Sequence, residues 1–264
     1  MIIRGPSTLR KIQKVVFNFM NSEKNSLTKN HQKSRVVKCH DDMVQPGLVN
    51  LIENTVNDVY FPWYRPTNGF SSVKNTYPFG KVMAHDHRIV DSPQLVHSIL
   101  IDGERQSVHF HLVIELIKDV TSRVWPSDDI KVQVGRCKFN LLTMQNLPDG
   151  DWYNPPHIDP YLNKLENITV EEGFGQVNML YYINNSDGDT FFFDGDSVTD
   201  YEHHSHRISP KKGRVVFFEP DQYHASSPPV LNRHRMVLNV NLLTTRPLPE
   251  LYKYIEEGRN LGRL

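Results

Sequence analysis

The sequence predicts a mainly β domain of α+β character, a sandwich or jelly roll supported by helices from the N-terminal half. Three observations predict it. From Ile130 onward, β-branched and aromatic residues recur in short runs: Val132 and Val134, Lys138–Leu142, Gln176–Asn184, Thr190–Phe193, Arg214–Phe218 and Arg235–Leu242. Turn residues separate the runs, at Asn146–Asn154, Asn185–Asp189 and Lys212-Gly213. Before Ile130 the apolar spacing is instead that of amphipathic helices.

Taken in order, residues 1–38 carry nine basic side chains and one acid, Glu23, with helical spacing through Leu9, Ile12, Val15, Val16 and Phe19. A solvated leading helix with a polar linker, an organelle transit segment and an electrostatic contact with an acidic partner all fit that pattern. Residues 39–129 read as a helical support region. Its first helix lies within Val44–Tyr60, with Leu48, Leu51, Ile52, Val56 and Val59 on one face, until Phe61-Pro62-Trp63-Tyr64-Arg65-Pro66 breaks it. A second helical region occupies 92–124, marked by Leu112, Ile114, Leu116, Ile117 and Val120. Residues 130–246 form the β core, and 247–264 an exposed C-terminal helix around Leu251 and Ile255.

The bulk composition excludes several classes. Basic and acidic residues balance at 30 each over 264 residues, so no global charge argues for nucleic acid or a membrane surface. Beyond residue 38 the balance is 21 basic to 29 acidic, which disfavours a nucleic-acid groove. Two cysteines, Cys39 and Cys137, make no disulfide framework and fit a reducing interior. No apolar run approaches the roughly 18–20 residues of a membrane span. Arg4, Arg10, Lys11 and Lys14 interrupt any secretory core, and the expected compartment is the cytoplasm.

The candidate chemistry lies between Trp152 and Leu242. His157 and Asp159 are two apart, so in an extended segment both side chains point to one face. His224 follows 67 positions after His157, beyond the Phe217-Phe218 strand. Two imidazoles and a carboxylate are the ligand set of a facial triad; without thiolates they suit Fe(II) or Mn(II) better than structural zinc. Arg233 and Arg235 share strand parity, so either can face inward, and a buried arginine needs an anionic partner such as a carboxylate. Other histidine motifs are weaker. His40-Asp41-Asp42 lies beside the basic segment without strand context and reads as a solvated pair. His204-Ser205-His206 sits in a polar loop. His85/His87 and His109/His111 lack a third ligand at a recognisable spacing.

From about Cys137 to Leu242 the chain resembles the iron(II)/2-oxoglutarate-dependent dioxygenase superfamily, in particular its prolyl-4-hydroxylase-like branch. Tyr182-Ile183-Asn184 followed by Asp187-Gly188-Asp189-Thr190 resembles that family's strand–turn–strand. Pro210-Lys211-Lys212-Gly213-Arg214 leading into Val215–Phe218 resembles the strand before its distal histidine. The resemblance implies a double-stranded β-helix with His157, Asp159 and His224 as iron ligands and no catalytic residue beyond them. It implies that Arg235, or alternatively Arg233, binds the distal carboxylate of 2-oxoglutarate, with Tyr182 placed to add its hydroxyl. Met144 and Gln145 stand where many relatives carry a cosubstrate-binding tyrosine, a departure from the pattern.

The implied activity is hydroxylation, since relatives that halogenate replace the carboxylate ligand that Asp159 supplies here. It would couple decarboxylation of 2-oxoglutarate to succinate with oxidation of a substrate by dioxygen, with ascorbate as reductant. The substrate expected first is a prolyl or other amino-acid residue, in a peptide or small molecule rather than nucleic acid. Two other classes compete: a cupin-like metal-binding protein and a non-catalytic jelly-roll binding protein. Loops at Asn146–Asn154, Pro160–Gly175 and Gly195–Ser209 are expected to select the substrate.

Overall fold

The computed structural model describes residues 37–66, 88–101, 103–125, 130–159, 175–193, 206–246 and 248–252. The expectations for the basic segment up to residue 36, for His85/His87, and for most of the two loops beginning at Pro160 and Gly195 lie outside these residues, as does the chain beyond 252.

Two antiparallel sheets face each other, which is the mainly β architecture the strand pattern predicts. The larger has the order β1-β8-β5-β10-β4-β2-β3, from β1 (Val37–His40), β2 (Gln94–Ile101), β3 (Glu104–Arg105), β4 (Val132–Thr143), β5 (Gly175–Tyr182), β8 (Val215–Phe218) and β10 (His234–Thr244). The smaller has the order β7-β6-β9, from β6 (Thr190–Phe193), β7 (His206–Ile208) and β9 (Tyr223–Ser226).

The two-residue period of a strand sorts the side chains into layers. Val177, Met179 and Tyr181 of β5, Val215 and Phe217 of β8, and Leu238, Val240 and Leu242 of β10 share one core with α1 (Pro46–Asn57) and α2 (Phe110–Val124). The alternate residues Leu180, Tyr182, Val216, Phe218 and Val237 face inward and meet Phe192 of the smaller sheet. Strands covered on both faces need apolar residues at both parities, which is why β8 reads Val-Val-Phe-Phe without alternation.

Three expectations are corrected. The segment Gln94–Ile101, expected to be helical, is strand β2, paired with β4 from Gln94↔Leu142 to Leu100↔Cys137. A short apolar run has no period that separates strand from buried helix, and here the partner strand decides. The His40-Asp41-Asp42 motif is not a solvated pair. Val37–His40 pairs with β8, His40 Nε2 hydrogen-bonds the Tyr252 hydroxyl at 2.9 Å, and Asp41 accepts from Arg214 Nε at 2.8 Å and Lys211 Nζ at 2.9 Å. The start of the C-terminal helix is not exposed either: Leu248, Leu251 and Tyr252 are buried in the helix-side core. Among the described residues, no helix is long and apolar enough to cross a membrane.

Candidate active site

His157 lies on the extended segment after β4, and backbone pairing fixes it beside β9. The His157 amide donates to the His224 carbonyl and the His224 amide to the His157 carbonyl, both at 2.9 Å. Parity then places Asp159 on the same face as His157. One potential ligand atom from each of His157, Asp159 and His224 lies within 4.8 Å of the others. His224 and Asp159 are buried, and His157 is half-buried.

The tautomers follow from the backbone. His157 Nδ1 faces the Pro155 carbonyl at 3.2 Å and His224 Nδ1 faces the Gln222 carbonyl at 3.1 Å. A carbonyl only accepts, so each Nδ1 carries a proton and Nε2 is the ring nitrogen left to bind a metal. Burial, then the neighbouring His224, pushes His157 down to about 3, so it is neutral at physiological pH. Burial pushes the Asp159 carboxyl up, but His224, His157, Arg136 and Lys138 outweigh it and hold the group at about 2. Asp159 Oδ2 also accepts from Asn241 Nδ2 at 3.1 Å and Asn239 Nδ2 at 3.3 Å. The cluster thus joins two imidazole nitrogens and one ionised carboxylate, held by surrounding hydrogen bonds.

Arg235 is buried at 3% exposure and lines the same pocket, whereas Arg233 is exposed and does not. Arg235 Nε donates to the Gly188 carbonyl at 2.7 Å and Nη2 to Thr190 Oγ1 at 2.8 Å. Burial lowers its pKa from the ordinary arginine range, against Tyr182 and Asp189 nearby. Among the described residues it forms no ion pair with a carboxylate. Tyr182 does not line the pocket; it stands behind Thr190, its hydroxyl on Oγ1 at 2.6 Å and its ring 5.6 Å from the guanidinium carbon.

The turn between β5 and β6 explains the motif around Arg235. Asn184 clamps the start of β10, accepting from the Met236 amide at 2.8 Å and donating to the His234 carbonyl at 3.0 Å. Asp187 accepts from the amides of Val230, Leu231 and Asn232 at 2.8–2.9 Å, fixing the loop that enters β10. Gly188 lies so close that an added Cβ would stand 2.5 Å from the Ser227 carbonyl oxygen and 3.0 Å from Arg235 Cδ.

The pocket has polar groups beyond the triad and Arg235: Lys138, Asn140, Asn154, Thr190 and Asn239 all line it. Their signal was present. In Arg235-Met236-Val237-Leu238-Asn239-Val240-Asn241 the polar residues all fall at one parity, the inward one, as do Arg136, Lys138 and Asn140 in β4. Met144 and Gln145 do not line the pocket.

Residues 142–243 match the sequence profile of the 2OG-Fe(II) oxygenase superfamily. They form a 2OG-Fe(II) oxygenase domain. No curated protein matches the sequence. Among solved structures, the chain resembles a prolyl hydroxylase of Trichoplax adhaerens in complex with a hypoxia-inducible-factor oxygen-degradation-domain peptide (13% identity, 91% of this chain and 93% of that one, TM-score 0.46). It also resembles a Pseudomonas putida prolyl-4-hydroxylase (14%, 79% and 92%, 0.41) and the α-ketoglutarate-dependent epimerase SnoN of nogalamycin biosynthesis (10%, 78% and 78%, 0.47). A 2OG-Fe(II) oxygenase uses Fe(II), 2-oxoglutarate and dioxygen, and the His157/Asp159/His224 cluster is a donor set of the kind iron requires.

Proposed function

We propose that this oxygenase hydroxylates its substrate at an iron held by His157, Asp159 and His224, with Arg235 binding the distal carboxylate of 2-oxoglutarate. The observation that carries the reading is one pocket containing both the His157/Asp159/His224 donor triad and a buried guanidinium that, among the described residues, forms no ion pair with a carboxylate. A charge buried without a partner costs several kcal/mol, and a dicarboxylate supplies the missing anion. Fe(II) with 2-oxoglutarate and dioxygen supplies the oxidising chemistry, releasing succinate and CO2, and ascorbate serves as the reductant that keeps the iron ferrous.

The protein's part is positional. The Nδ1–H bonds orient both imidazoles, and Asn239 and Asn241 orient the carboxylate. Gly188, Thr190 and Tyr182 form a buried seat for Arg235, with Tyr182 acting on the cosubstrate through Thr190. The apolar residues Leu180 and Val237 line the wall and exclude water from the cosubstrate. An iron held by only these three side chains would stay accessible to small molecules. Prolyl and other amino-acid residues are the first substrates to assay, as the resemblance implies.

The test is anaerobic joint binding. Fe(II) and 2-oxoglutarate titrated into the full chain should bind at one equivalent each, cooperatively, and Arg235→Met should weaken the 2-oxoglutarate step selectively. Iron binding untouched by 2-oxoglutarate would favour a cupin-like metal protein, and absence of both a non-catalytic scaffold.

A further inference from the structure

Lys138 lines the same pocket, on β4, and its cross-strand partner on β10 is Asn239. Among the described residues its ammonium makes no ion pair or hydrogen bond; Asp159 is the acid that acts on it through space. On the functional reading above, Asp159 is spent on the metal. The divalent metal, Arg235 and Lys138 then outweigh Asp159 by three charges, and the 2-oxoglutarate dianion cancels two of them. One positive charge is left. Asp91, the other acid of the lining, is solvent-exposed, where water and salt screen it.

A second observation lies beside it. Asn140 is two residues from Lys138 on the same strand, hence on the same face. It lines the pocket, and its Oδ1 is buried with no hydrogen-bond partner among the described residues. A buried acceptor without a donor is costly until a ligand supplies one. A cation lacking an anion, next to an acceptor lacking a donor, has a definite complement: a carboxylate with an N–H or O–H group a few atoms away.

We propose that Lys138 and Asn140 form a substrate subsite for a carboxylate-bearing molecule, Lys138 pairing with the carboxylate and Asn140 Oδ1 accepting from the adjacent donor. This rests on the reading of the pocket as an iron and 2-oxoglutarate site. The carboxylate belongs either to a free acylated amino acid or to the C-terminus of a peptide; an internal peptide residue offers none.

The full chain, saturated with Fe(II) and 2-oxoglutarate under argon, is titrated by calorimetry with N-acetyl-L-amino acids, with short peptides having free C-termini, and with the amides of both. In the wild type at least one acid should bind about tenfold or more tightly than its amide, the scale of one charge-assisted hydrogen bond. Lys138→Met should erase that preference while the 2-oxoglutarate affinity changes less, and Lys138→Gln repeats the test if the first variant folds poorly. Which series carries the preference identifies the source. Equal binding of every acid and its amide, or binding of no acid, overturns the proposal; so does a Lys138→Met loss that falls on 2-oxoglutarate. Failure of the wild type to bind Fe(II) and 2-oxoglutarate is a separate result, which removes the functional reading and this subsite with it.

Discussion

Asn241 donates a side-chain N–H to Oδ2 of Asp159 at 3.1 Å, joining the middle of β10 to a carboxylate 82 positions earlier in the chain. The same Nδ2 also donates to Asn178 Oδ1 at 2.9 Å. Asn241 therefore orients the one anionic member of the triad without joining it. Asn241→Leu is expected to lower Fe(II) or Mn(II) affinity by about ten- to a hundredfold, the usual scale for losing such support. Anaerobic metal titration measures this, with circular dichroism confirming the fold.

The two arginines give a paired prediction. Arg235→Lys keeps the charge but loses the planar fork, so the dissociation constant for 2-oxoglutarate should rise by about tenfold or more. Arg233→Lys, at an exposed position, should leave that constant unchanged and move stability by no more than about 0.5 kcal/mol. Isothermal titration of both variants side by side checks it.

Gly188 tests the seat of Arg235 from the backbone side. An alanine there places Cβ 2.5 Å from the Ser227 carbonyl oxygen, a contact that backbone must move to relieve. Gly188→Ala should cost about 1–3 kcal/mol, the usual range for overpacking, and raise the KM for 2-oxoglutarate. Gly47→Ala, in α1 with nothing within 4 Å of the added Cβ, should leave or slightly raise the Tm. Thermal melts of the two variants give the contrast.

Metal-free protein should lose stability in acid. His157 is held near 3 in the fold against an ordinary 6.5, first by burial. Its neutral form is the folded one, so between about pH 6.5 and 3 the unfolded chain binds the extra proton and stability falls as pH falls. The slope from this group is at most about 1.4 kcal/mol per pH unit. Urea titrations at pH 7 and pH 5 in the presence of chelator should show the loss, and His157→Gln should reduce it.

The sequence makes some of this legible and hides the rest for physical reasons. Strand β8 declares itself because burial on both faces demands apolar residues at every position, and β5 and β10 do so through their apolar runs, Met179–Tyr182 and Met236–Leu238. The grouping of His157, Asp159 and His224 is legible because strand parity and chain order restrict which side chains can converge. The edge strand Val37–His40 is not, because four residues of mixed polarity acquire strand structure only from pairing with β8. Leu251 has the spacing of a surface helix, and its burial depends on the distant core it docks against. Lys138, Asn140, Asn239 and Asn241 carried a readable signal in their shared parity, obscured by the apolar residues between them.

Oxygen-dependent conversion of 2-oxoglutarate to succinate, measured with Fe(II) and ascorbate for wild type beside His157→Ala, tests the central claim most directly. The arrangement of the pocket predicts a succinate signal in the wild type, even a slow one without prime substrate, that disappears in the variant and under argon. Equal succinate formation by wild type and His157→Ala would contradict it.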